Sequence, residues 1–258
     1  MTRRIGVGRG RMRSATDLRV KIFADGADLP GIIKLYANPL IKGFTTNPTL
    51  MRKAGVKDYA AFARDVLLAV PDRPVSFEVF ADEFGEMERQ AREIASWGRN
   101  VNVKIPVTTT KGAFCGPLIE RLSSVGIVVN VTAVMTLEQV GAIVECLAPP
   151  TPAIVSVFAG RIADTGRDPV PLMAEAVRIL KARPMAELIW ASPRELLNVF
   201  QADDIGCHII TVTHDVLGKL SLVGRDLHAY SLETVEMFRR DAQAAGFSIS
   251  ASPLRAAG

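Results

Sequence analysis

The sequence predicts an α/β protein, a closed (β/α)8 barrel of the TIM type followed by C-terminal helices. Three observations carry that expectation. Short β-branched runs alternate with longer amphipathic stretches almost from end to end, and such alternation implies parallel strands, whose neighbours need a crossover connection. About eight such units fit one domain-sized chain, which favours closure over an open doubly wound sheet. The turn after the first strand, Asp25-Gly26-Ala27-Asp28, also lacks the G-x-G-x-x-G phosphate loop of an open nucleotide-binding sheet.

Runs rich in Val, Ile and Phe mark strands at 20–25, 43–46, 75–80 and 101–105. The pattern returns at 127–131, 153–157, 188–191 and 208–212. Pro106 closes the fourth run, because proline cannot donate to a ladder. Helical patterns lie between them at 59–70, 83–97, 113–125, 137–146, 169–183 and 193–202. After the eighth strand, residues 217–227 and 231–246 read as C-terminal helices. No Pro/Gly/Ser linker is long enough to part residues 19–258, which are expected to form one barrel domain.

Residues 1–18 read as a basic, disordered extension in which Arg3, Arg4, Arg9, Arg11 and Arg13 are interleaved with glycines. A start at Met12 explains that segment equally well. Aromatic residues are absent from it, so nucleic acid is not the expected partner. Hydrophobic residues at 48%, charged residues at 22% and a net charge of +4 describe an ordinary globular composition. No stretch is apolar enough to span a bilayer and none resembles a secretion signal, so a cytoplasmic protein is expected. Cys115, Cys146 and Cys207 are scattered without C-x-x-C spacing, which argues against a disulfide framework or zinc site. His208, His214 and His228 have no carboxylate at metal-ligand spacing, and His208 reads as a strand-entry residue. No metal or cofactor is expected.

Chemistry in such barrels gathers where strands end. Those ends deliver Asp25, Thr46-Asn47, Glu78, Lys104, Asn130-Thr132, Ser156, Ser192 and Thr211-Thr213. Lys104 stands out, because lysine is almost never fully buried unless paired. An amine among apolar side chains loses hydration of its charged form and becomes a nucleophile towards a carbonyl. The alternative is a lysine that snorkels to solvent or pairs with a carboxylate, Glu78 being the nearest choice. Asp25 and Glu78 are an acid–base pair or, alternatively, a helix cap and a salt-bridge partner, with Asp28 an equally good cap. Asn47 precedes Pro48, which turns it from helical geometry and across the rim, or makes a simple Asn-Pro turn.

Phe44-Thr45-Thr46-Asn47-Pro48-Thr49 with Val103-Lys104-Ile105-Pro106 resembles the transaldolase and fructose-6-phosphate aldolase family. The resemblance extends through Ala24-Asp25-Gly26-Ala27-Asp28, Val129-Asn130-Val131-Thr132 and Ser156-Val157-Phe158-Ala159-Gly160-Arg161. It continues into Ala191-Ser192-Pro193-Arg194 and the segment from Gly206 to Val212. It implies that Lys104 forms an imine with the ketone of a ketose phosphate, sedoheptulose 7-phosphate or fructose 6-phosphate, in the pentose phosphate pathway. By the same resemblance Asp25 handles the C4 hydroxyl proton, while Glu78 and Thr132 hold the water that shuttles protons. Asn47, Asn130 and Ser156 then hydrogen-bond the dihydroxyacetone unit, Thr46 and Phe158 join the substrate-binding set, and Arg161, Ser192 and Arg194 bind the distal phosphate. From the residues alone, the last three read first as solvated helix-start residues, although arginine and serine donors also suit a phosphate.

Glu78 and Phe158 match the transaldolases, where the aldolases that resemble them carry glutamine and place a tyrosine near the catalytic water; this chain has Met135 there. The resemblance therefore implies transfer of the dihydroxyacetone unit to an aldose phosphate. Its competitors are retro-aldol cleavage and a silent sugar-phosphate-binding barrel. Gly26, Pro193 and Thr109-Thr110-Lys111-Gly112 depart from the family pattern and bear on substrate preference. Short members often form pentamer-based rings, which implies a homo-oligomer acting on small-molecule sugar phosphates.

Overall fold

The computed structural model describes residues 14–249. Its parallel strands close into a barrel in chain order, β1 through β8. They are β1 (Lys21–Asp25), β2 (Ile41–Thr45), β3 (Val75–Glu78), β4 (Val101–Pro106), β5 (Val129–Val134), β6 (Ala153–Val157), β7 (Ala186–Trp190) and β8 (Ile209–Thr213). The helices of the first half are α1 (Leu29–Tyr36), α2 (Pro48–Lys53), α3 (Tyr59–Ala69), α4 (Phe84–Ser96) and α5 (Gly116–Ser124). Those of the second half are α6 (Leu137–Cys146), α7 (Ala159–Ala163), α8 (Pro169–Leu180), α9 (Leu197–Asp204), α10 (His214–Leu217) and α11 (Leu227–Ala244). The expected (β/α)8 architecture is the one observed, and a C-terminal helix follows it.

Three helices lie where no pattern predicted one. They are α1, α2 and α7, of 8, 6 and 5 residues, too short for a reliable 3.6-residue period. Local chemistry starts two of them. Asp28 accepts from the Gly31 N–H at 2.9 Å and caps α1, while Asn47 Oδ1 accepts from the Leu50 N–H at 3.0 Å ahead of Pro48. Capping of α1 thus falls to Asp28, and Asp25 is left for the barrel mouth. The expected helix at 217–227 is instead the end of α10 and a 3-10 turn, Gly218–Leu222. Gly224 then takes φ +77°, a left-handed conformation that interrupts helical geometry.

Two apolar layers hold the barrel. The outer one packs the strands against the helices through residues such as Phe44, Phe77, Met87, Leu118 and Trp190, all at or below 1% exposed. The inner one fills the lumen with Phe23, Ile154, Ile189, Ala191 and Ile209. Phe23 needs the bare backbone of Gly43, since a Cβ there would stand 2.6 Å from its ring. Truncating such a plug to alanine costs about 3–5 kcal/mol. The lumen beside β3, β4 and β5 is polar instead, with Ser76, Asn102, Lys104 and Asn130 all buried.

The chain divides into two compact units, of which Ala15–Ser221 contains the barrel. In the other, residues 14 and 222–249 are described, and they include α11. Asp226 caps that helix from its N-terminus, accepting from the Ala229 N–H at 2.9 Å, and Arg225 lies 4.9 Å from the Tyr230 ring centroid. Among the described residues no helix is long and apolar enough to cross a membrane. Arg3, Arg4, Arg9, Arg11 and Arg13 lie outside the described residues.

Candidate active site

A cavity of about 490 Å³ opens at the carboxyl ends of the strands. Its lining includes Asp25, Asn47, Glu78, Lys104, Thr132, Ser156, Phe158, Arg161, Ser192 and Arg194. Ten of the twelve residues singled out in the sequence therefore meet at one surface. Thr46 and Asn130, each 0% exposed, lie beneath that lining.

Lys104 projects from β4 opposite Glu78 of β3 and Asn130 of β5. Only 6% exposed, its Nζ donates to the Thr46 carbonyl at 2.8 Å and to Glu78 Oε2 at 3.0 Å. The ion pair that the sequence left open is formed. Two acceptors offset the desolvation of an ammonium, and one of them is a carboxylate able to take its proton.

Asp25 ends β1 across the mouth from that pair. Burial drives its carboxyl above the ordinary carboxylate range, while the Lys104 charge and hydrogen bonds from Thr45 and Asn47 pull it back. The Thr45 hydroxyl donates to Oδ1 at 2.8 Å and lies 2.5 Å from the Thr211 hydroxyl. Asn47 divides its amide, its oxygen capping α2 and its nitrogen donating to Asp25 Oδ2 at 3.3 Å. Cap and rim turn are thus one residue doing both, which requires the extended φ of −155° that Pro48 favours.

Ser156 Oγ donates to Asn130 Oδ1 at 2.7 Å, and Asn130 Nδ2 donates to Ser76 Oγ at 3.1 Å. This buried chain ties β3, β5 and β6 together and fixes the Ser156 rotamer. Thr46 completes the underside, its hydroxyl donating to the Ser76 carbonyl at 3.0 Å. In contrast, the Thr132 hydroxyl is buried without a hydrogen-bond partner. A buried polar group left unsatisfied costs about 1–3 kcal/mol, so one that lines a cavity is poised for a ligand or water.

The β6 and β7 side is more exposed. Arg161 stacks over Phe158 with its guanidinium carbon 5.5 Å from the ring centroid. Arg194 pairs side-on with Asp164 through Nε and Nη2, the first donating to Oδ1 at 2.8 Å and the second to Oδ2. That guanidinium holds the Asp164 carboxyl below its usual range. Ser192 sits at φ +57°, as Ala133 does at +61°. Non-glycine residues there are strained and concentrate at functional sites. The Ser192 carbonyl abuts Gly160, where a Cβ would come within 1.5 Å; only glycine lets α7 approach so closely.

Thr45, Ser76 and Tyr59 were not among the residues singled out as site candidates, and Thr211 was read only as a polar strand end without an assigned role. Thr45 lay inside a motif already noted, whereas nothing in the sequence points to Ser76 or Tyr59. Away from this cavity, His208 Nδ1 accepts from the Leu188 N–H at 3.0 Å just ahead of β8, in keeping with a strand-entry role. All three cysteines are free. Among the described residues, no group of three or more His, Cys, Asp or Glu is placed to hold a metal ion.

Fold and site together define a parallel (β/α)8 barrel with a buried, carboxylate-paired lysine at its carboxyl end. The solved structure of KGPDC from Streptococcus mutans shares that fold at a TM-score of 0.51 and 10% identity, over 76% of this chain and 88% of that one. Residues 22–251 match the model of the family described as transaldolase/fructose-6-phosphate aldolase, and the chain belongs to that family. A "Probable transaldolase" of Dehalococcoides mccartyi is 38% identical over 199 residues, covering 77% of this chain and 88% of that protein. Another, of a Thermoanaerobacter species, is 34% identical over 231 residues, covering 89% and 100%.

Proposed function

We propose that the chain is a transaldolase that carries a dihydroxyacetone unit as an imine on Lys104. The observation that carries this reading is the buried Lys104 amine, 3.0 Å from Glu78, in one cavity with Asp25 and the unpartnered Thr132 hydroxyl. A purely structural ion pair has no use for that cavity or for an unsatisfied hydroxyl beside it.

Glu78 takes a proton from Lys104, and the free amine adds to the ketone carbon of a ketose phosphate. The resulting carbinolamine loses its hydroxyl as water, with Glu78 and Thr132 handling the proton, and leaves a protonated imine. Asp25 then accepts the C4 hydroxyl proton as the C3–C4 bond breaks. The bonding electrons pass to the imine, which becomes an enamine, and an aldose phosphate departs. An acceptor aldehyde reverses these steps, and water finally frees Lys104. Asn47 and Ser156 orient the retained hydroxyls, with Asn130 and Thr46 supporting them from below. Arg161, assisted by Ser192 and Arg194, binds the distal phosphate through bidentate, charge-assisted hydrogen bonds. The setting we propose is the pentose phosphate pathway of the cytoplasm, with the protein acting as a homo-oligomer.

Phe158 and Met135 favour transfer over hydrolytic release, because neither side chain can activate water beside the enamine. Borohydride reduction in the presence of fructose 6-phosphate is expected to leave a stable adduct on the peptide containing Lys104. A ligand-saturated but unmodified protein would overturn the imine. Omitting erythrose 4-phosphate separates the two outcomes of catalysis: a transaldolase then releases almost no free dihydroxyacetone, whereas rapid release identifies an aldolase.

A further inference from the structure

The end of β3 departs from a regular sheet in a way that bears on Glu78. Strands β2 and β3 stay in register only at Phe44↔Val75 and Thr45↔Ser76, and the Thr46 N–H reaches the Ser76 carbonyl at 3.3 Å. The next rung of a parallel ladder would join the Glu78 N–H to the Thr46 carbonyl. Both groups have taken other partners. The Thr46 carbonyl accepts from Lys104 Nζ at 2.8 Å. The Glu78 N–H donates to the Tyr59 hydroxyl at 2.7 Å, and that hydroxyl donates to the Glu78 carbonyl at 3.1 Å.

We propose that Tyr59 is a positioning residue: its hydroxyl stands in for the missing β2 partner on both backbone groups of Glu78, and so sets the direction from which that carboxylate meets Lys104. The missing rung and the lysine contact are two sides of one arrangement, because the carbonyl that β3 gives up is the one that holds Lys104.

The Tyr59 ring is fixed well enough for this task. It packs against Phe80, Trp97 and Phe77 with centroids 4.6, 5.6 and 6.1 Å away. An aromatic side chain has only two torsions to hold, and such pairs prefer defined tilted or edge-on geometries. Burial raises the phenol above its ordinary range, so it keeps its proton and can donate and accept together. A single buried hydroxyl thereby satisfies two backbone groups that would otherwise stand unpaired at the rim.

The proposal rests on the reading that Glu78 moves protons for the Lys104 imine, and the test keeps the two apart. Wild type, Tyr59→Phe, Glu78→Ala and the double variant are compared for kcat, KM and the rate of borohydride-trapped adduct on Lys104. Tyr59→Phe keeps the ring and its aromatic contacts. It is expected to lower kcat and the trapping rate about tenfold with KM within about twofold. In the Glu78→Ala background the same substitution should change kcat less than about twofold, because no carboxylate remains to be aimed. An equal loss in both backgrounds would overturn the proposal, as would an unchanged kcat. Amide hydrogen exchange at Glu78 supplies a readout independent of the reaction: faster exchange in Tyr59→Phe supports the clamp, and unchanged exchange rejects it. Failure of wild type to form any Lys104 adduct would count against the imine alone, with the clamp then decided by exchange.

Discussion

Two lysine–glutamate pairs mark opposite ends of this barrel, and they share a composition but little else. At the amino end Lys21 of β1 reaches Glu187 of β7, with Nζ 2.6 and 2.5 Å from the two carboxylate oxygens. At the carboxyl end Lys104 meets one oxygen of Glu78 at 3.0 Å. The shorter pair is the less consequential one. Its side chains are 40% and 36% exposed, against 8% and 18% at the other end. Water screens the floor pair and hydrates each partner alone, so exposed pairs contribute about 0–1 kcal/mol. The rim pair has lost that hydration, and removing either member strands a buried charge. Burial beside a cavity, rather than contact distance, separates the pair we propose to be reactive from the one on the floor.

The largest expected effect tests that contrast directly. Lys104→Met should lower kcat at least about 10⁴-fold, because among the described residues no other lysine lines the cavity. Residual activity within about tenfold of wild type, measured in the coupled assay, would remove the distinction between the two pairs.

Next comes the arginine side of the rim, where Arg161 contacts an aromatic ring and Arg194 is committed to Asp164. Arg161→Ala is expected to raise KM for fructose 6-phosphate about 10- to 100-fold with kcat within a few fold, the cost of a charge-assisted hydrogen bond. An unchanged KM would move the phosphate elsewhere.

A smaller effect concerns Asp25. Burial holds its carboxyl high, and the Thr45 hydroxyl bond favours the charged form. A protonated Asp25 cannot accept the C4 proton, so kcat/KM falls as pH drops through its pKa, above the ordinary carboxylate range. Thr45→Val removes a bond to the carboxylate, raises that pKa further and moves the acidic limb to higher pH. A pH profile with the limb unmoved or lowered would contradict the assignment.

The smallest effect closes the comparison. Lys21→Met should leave kcat within about twofold and cost at most about 1 kcal/mol on chemical denaturation. A large loss of activity would make the floor pair part of the machinery.

Much of this was legible along the chain. The eight strands follow from β-branched runs, and Lys104 is conspicuous as a lysine inside one of them. The cap at Asp28 was offered by the sequence, whereas Asn47 was read as a rim residue or turn and not as a cap, and the short helices both start were missed for want of a full period. Thr46 and Asn130 show where strand-end reading runs out. Sequence identifies a polar residue near a rim, but which layer it occupies depends on the stagger of neighbouring strands. Both prove fully buried and bonded to Ser76, whose own place in the network had no signal.

Strand alternation, helix starts and the motif around Lys104 were determined by the sequence itself, because each arises from interactions within a few residues. The sequence already named Glu78 as the alternative partner of Lys104, but tertiary structure alone decided that the pair forms, that the Thr46 carbonyl supports it, and that Tyr59 fills the gap between β2 and β3. Those partners lie 26, 58 and 19 residues apart in the chain. No local pattern encodes such distances, and only closure of the barrel brings the strand ends together.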